Sequence, residues 1–156
     1  MPDAAATRTS QNIKRSVQDY LASLNLGGAP ILYDAPLELV PKDGTWVDVI
    51  WRRRTPLAMA SPQRGQSWAL ELQCWSRIKD DPMQANLDAL VDKLLAALDD
   101  GQADKYVPLC DFTNPAAPVD SGYKVRLSVQ SDDYLPSTDL VYGRSIWVTA
   151  NYFERY

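Results

Sequence analysis

Asp132, Asp133 and Asp139 lie close together ahead of a strand-like run, and paired carboxylates are able to do acid–base work. Their neighbours supply no nucleophile, no partner base and no closed-pocket signature. The chain has no histidine, so the commonest general base near neutral pH and the commonest metal ligand are both missing. No phosphate-cradling loop, dinucleotide turn, zinc spacing or nucleophile elbow is present. The expectation is a non-enzyme with no catalytic residue, no cofactor and no metal site. A small carboxylate-dependent enzyme built on the three aspartates is the alternative of a different class.

Three other sets of side chains stand out. Asp81, Asp88, Asp92 and Asp99 fall within one narrow sector of a helix at 100° per residue, away from its apolar face. The plain reading is a solvated face. The functional one is a negative row, Asp88, Asp92 and Asp99, that faces a channel or meets a basic partner; no calcium-loop pattern supports a metal there. Arg52, Arg53 and Arg54 are the main basic cluster. Successive strand residues point to opposite faces, so the three cannot form one flat patch. They are either solvated charges or, beside a long loop, a partner or subunit contact. Trp75 sits on the polar face of its strand, where tryptophan serves as an interface anchor. Cys74 and Cys110 are too few for a disulfide framework, and Cys74 reads as a buried free thiol.

The elements that position these groups follow from periodicity. Trp68, Leu70, Leu72 and Cys74 alternate with Ser67, Glu71, Gln73 and Arg77, a half-buried strand. Asp81 can cap the helix after it, with Pro82 at the first helical position and Gln84 completing a capping box. Met83, Leu87, Leu90, Val91, Leu94, Leu95 and Leu98 form its apolar face, and Gly101 ends it. A first helix, capped by Ser10, carries Ile13, Val17, Tyr20, Leu21 and Leu24 and stops by Gly27-Gly28. Trp46–Trp51 reads as a strand covered on both sides, Tyr123–Gln130 as a half-buried strand, and Ser145–Tyr156 as an aromatic strand. The stretches 29–43, 52–66, 102–122 and 131–143 read as connectors, with one short edge strand allowed around Ile31-Leu32-Tyr33. Residues 1–9 read as a mobile arm before one domain, 10–156.

The expected fold is therefore two-layer α+β: a mainly antiparallel four-stranded sheet covered by two amphipathic helices, in the order helix-strand-strand-helix-strand-strand. Hydrophobic residues make up 46% and charged residues 23%, as in soluble globular chains. No apolar run approaches a membrane span and no signal peptide is visible, so no membrane partner is expected. A formal net charge of −4 argues against tight phosphate binding.

The element order over residues 10–156 resembles the tail-terminator (tail-completion) proteins of long-tailed bacteriophages, of the lambda-like type. The resemblance rests most on Ser131-Asp132-Asp133-Tyr134, leading through Ser137-Thr138-Asp139-Leu140 into Ile146–Glu154, and on Trp68-Ala69-Leu70-Glu71-Leu72 with the following helix. The long proline-containing segments depart from the compact members. The resemblance implies a structural virion protein: a ring, of six copies, that caps the tail tube, ends its polymerisation and provides the head–tail joining surface. The implied partners are further copies of the chain, the tail tube protein, a neck, head-completion or connector protein, and DNA passing without specific binding. The implied location is the tail–neck region of the virion, with assembly in the host cytoplasm. Another neck or head-completion subunit is the nearest alternative.

Overall fold

Alternating apolar and polar residues dominate more of the chain than helical periodicity does, and the computed structural model is accordingly mostly β. It describes residues 10–57, 63–98 and 105–155. Six strands make one mixed sheet: β1 (Ile31–Tyr33), β2 (Thr45–Leu57), β3 (Gln63–Arg77), β4 (Lys105–Asp111), β5 (Val119–Leu135) and β6 (Val141–Arg155). Their order across the sheet is β1-β2-β3-β6-β5-β4, with β1 parallel to β2 and every other pair antiparallel. Helices α1 (Ser10–Ala22) and α2 (Ala85–Leu98) pack on one face.

This overturns the four-stranded antiparallel α+β expectation, and each difference has a local cause. β1 is three residues long and lies between Pro30 and Pro36, so its sequence carries almost no alternation. β4 contains Pro108, which hides it in a stretch read as irregular. As an edge strand it tolerates proline, because the outer side of an edge needs no ladder donor. The connectors 52–66 and 131–143 also shrink. β2 and β3 stay paired as far as Leu57↔Gly65, and β5 continues to Leu135. The first helix spans Ser10–Ala22, and both Gly27 and Gly28 adopt positive φ beyond it. The arm 1–9, Asp99 and Gly101 lie outside the described residues.

The core sits between the helices and one sheet face. Val47, Val49, Leu70, Leu72, Cys74, Ile146, Val148, Ala150, Val125 and Leu127 meet Ile13, Val17 and Leu21 of α1 and Leu87, Val91 and Leu94 of α2. Each such fully buried aliphatic side chain contributes about 1.5–3 kcal/mol before entropy. α1 also touches both ends of the sheet. Tyr33 on β1 donates to the Gln18 carbonyl at 3.3 Å, while Ser16 Oγ and Asn12 Oδ1 accept from the Cys110 and Phe112 amides at 3.0 and 2.9 Å. Side chains of a helix thus take the place of a further strand beyond β4.

The start of α2 departs from the expected capping box. Pro82–Gln84 forms a separate 3₁₀ turn, and α2 begins at Ala85. Asp81, 1% exposed, reaches across that turn: its carboxylate accepts from the Asn86 and Leu87 amides at 2.7 and 2.9 Å and from Ser76 Oγ at 2.7 Å. The intervening turn is pushed outward. Met83 and Gln84 both take positive φ, a costly conformation outside glycine, and Met83 is 92% exposed.

Candidate functional site

Polar chemistry concentrates in two ionic groups on opposite faces of the strands β3, β6 and β5. On the helix-covered face, Arg144 of β6 has a side chain only 11% exposed. Its two terminal nitrogens donate to Asp88 Oδ1 on α2 at 3.0 Å and to Asp132 Oδ2 on β5 at 2.5 Å. The guanidinium lies 4.6 Å from the ring centre of Tyr134, whose hydroxyl donates to Asp88 at 3.1 Å. Burial disfavours the charge on Arg144, but Asp132, Tyr134 and Asp88 outweigh it and hold the pKa above the ordinary value. Cys74, the cross-strand partner of Arg144, is buried and free; desolvation pushes its thiol up to about 12, with Arg144 opposing.

On the other face Glu71 of β3 is buried, its side chain 6% exposed. It accepts from Arg52 Nη2 at 2.5 Å and Nε at 3.1 Å, and from Ser145 Oγ at 2.6 Å. Arg52 also lies 5.9 Å from the ring centre of Trp147. Desolvation raises the Glu71 pKa, but the hydrogen bonds from Ser145, Arg52 and Gln73 prevail and leave it below the ordinary glutamate value.

The candidate residues are distributed among these groups and the surface. Arg52 joins Glu71, Arg53 is exposed, and Arg54 pairs with Trp68 through the β2–β3 ladder. Trp75 is half-buried opposite Trp46, its ring lying so close over Gly143 that a Cβ there would stand 2.5 Å from the indole. Of the acidic row, Asp88 is committed to Arg144, Asp92 is exposed, and Asp99 lies outside the described residues. Asp132 is committed to Arg144 and Asp133 is exposed. Asp139 lines a separate open depression of about 350 Å³ with Lys42, Arg77, Ile78, Lys79 and Leu140. The three aspartates of the enzyme reading therefore do not converge on one pocket. Among the described residues, no three histidine, cysteine or acidic side chains gather as a metal site, and no helix is long and apolar enough to cross a membrane.

Two residues central to these groups were missed as site residues: Arg144 and Glu71. Parity could have found Arg144. It shares its strand face with Ile146, Val148, Ala150 and Tyr152, so a cation there enters the core and requires acidic partners. Glu71 gave no comparable signal, because it alternates to the polar face as an ordinary surface residue would.

No protein-family model matches the chain, and no curated protein matches its sequence. Among solved structures, a chain of the virion of a native gene transfer agent (GTA) particle has a similar fold. The alignment has a TM-score of 0.55 and 15% identity and covers 97% of this chain and 100% of that one. At that identity the likeness is one of fold.

Proposed function

We propose that this chain is a structural subunit of a phage-like virion and, more narrowly, a ring-forming tail terminator. In this reading six copies cap the tail tube, end its polymerisation and present the surface that the head and neck proteins join. One observation carries the proposal: the fold likeness to a virion chain runs through nearly the whole of both molecules rather than one shared motif. The net charge of −4 suits a ring through which DNA passes without being retained, since phosphate binding requires cationic surface. The site of action is then the tail–neck region, after assembly in the host cytoplasm.

The test is to add the purified protein to polymerising tube protein and follow tube length by electron microscopy. Growth should stop, with a ring at one tube end. Growth that continues while the protein binds purified connector would make it a neck or head-completion subunit instead. A turnover abolished by Asp132→Ala, Asp133→Ala or Asp139→Ala would overturn the structural reading altogether.

A further inference from the structure

Besides the outer sides of its edge strands β1 and β4, the sheet leaves two further stretches with no neighbouring strand among the described residues. β1 pairs only with Val47–Val49, so among the described residues the outer side of β2 beyond Ile50 has no neighbouring strand. β4 is described from Lys105, opposite Leu127, so among the described residues the outer side of β5 from Val129 to Leu135 has none either. At the end of the β4 edge, by contrast, the Cys110 amide and the Phe112 amide just past the strand donate to Ser16 and Asn12 of α1. Among the described residues Ile50–Thr55 ladder with β3 alone and Val129–Leu135 with β6 alone, and no backbone hydrogen bond of a turn or loop reaches either stretch. Pro56 has no N–H and ends the usable part of the β2 edge at Thr55.

These edges match in three respects. They lie on opposite sides of the sheet. They run antiparallel, because three antiparallel steps separate β2 from β5. They also carry opposite charge: Arg52, Arg53 and Arg54 mark the first, Asp132 and Asp133 the second. Arg52 and Asp132 are engaged within the subunit, whereas Arg53 and Asp133 are exposed.

We propose that copies of this chain join edge to edge, the arginine-bearing edge of β2 in one copy adding antiparallel to the aspartate-bearing edge of β5 in the next. Main-chain hydrogen bonds supply the affinity and the charge pattern selects the partner edge. Because the two edges differ, the contact is head-to-tail, and each added copy leaves one edge of each kind open until rotation closes a ring. The inference rests on the ring reading above and names the surfaces that would build it.

Charge exchange in the full-length chain tests it, with association measured by sedimentation. Arg53→Glu and Asp133→Arg should each lower association about tenfold at ~0.1 M salt, and the double variant should recover most of the loss. Both side chains are exposed, and circular dichroism checks that the fold is kept. Hydrogen exchange adds a readout independent of register: the amides of 51–55 and 129–134 should slow together on assembly. Rings that form while both segments exchange as fast as in the dispersed protein, or single variants that assemble like the parent, would overturn the edge pairing and leave the ring reading standing. A parent chain that never assembles, with or without tube protein, would overturn both.

Discussion

The ionic groups on the two faces of the sheet invert each other. Beneath the helices the buried partner is a cation, Arg144, held by carboxylates from α2 and β5. On the opposite face the buried partner is an anion, Glu71, and its cation Arg52 remains 43% exposed. The first group ties layers together: a helix, a strand and a neighbouring strand meet through one guanidinium. The second works within the sheet, joining β2, β3 and β6 through one carboxylate. The same pair of chemistries thus serves tertiary docking on one side and strand alignment on the other. Arg144 holds two carboxylates where Arg52 holds one that keeps a second donor, so the first loss is the costlier.

That asymmetry sets the order of expected effects. Arg144→Met should be the largest, about 3 kcal/mol in urea unfolding, because Asp132 loses its counter-ion in a mostly buried place. The same variant should leave Cys74 at least as resistant to alkylation at pH 8 as in the parent, because Arg144 is the charge that opposes the upward shift of the thiol. Arg52→Ala should cost less, about 1–2 kcal/mol, since Ser145 still donates to Glu71 and water can replace part of the exposed guanidinium. Equal costs for the two variants would remove the distinction between the faces.

A pH series separates the groups further. The folded pKa of Glu71 is depressed, so its contribution is fully present above the ordinary glutamate value and is lost as pH falls through the folded value. The stability gap between the parent and Glu71→Gln should therefore hold constant from neutral pH down to the ordinary glutamate value and narrow as pH falls below it. A gap that widened on acidification would reverse the assignment. The smallest effect belongs to Tyr134→Phe, whose hydroxyl reaches Asp88 at the exposed rim; its unfolding midpoint should match the parent within error.

How far the fold could be read in advance depended on whether each element carries its own burial pattern. Strand β3 and helix α2 do: Leu70, Leu72 and Cys74 alternate, and Leu87, Leu90, Val91, Leu94 and Leu98 recur at helical spacing and are all buried. β1 and β4 do not, because their places depend on partners distant in sequence, β2 for one and the side chains of α1 for the other. The cap of α2 illustrates the same limit. Asp81 was identifiable as a capping residue, but its reach over the Pro82–Gln84 turn depends on Ser76, which only the folded end of β3 brings within 2.7 Å. Among the site residues, Asp88 and Asp132 were separate features of the sequence, and what unites them is an arginine on the core-facing side of β6.

The position of β6 has a consequence for how the molecule is made. The strand latest in the sequence lies in the middle of the sheet, between β3 and β5, with pairings as distant as Gln63↔Arg155. Until β6 has been synthesised, the chain can hold two separate hairpin-like halves, β2–β3 and β4–β5, each with an open inner edge. Closure over such sequence separations is slow, and unpaired edges are hazards while it lasts. The nascent halves must stay apart from those of neighbouring chains until the central strand arrives. Chains truncated before Val141 should consequently aggregate rather than persist as smaller folded pieces.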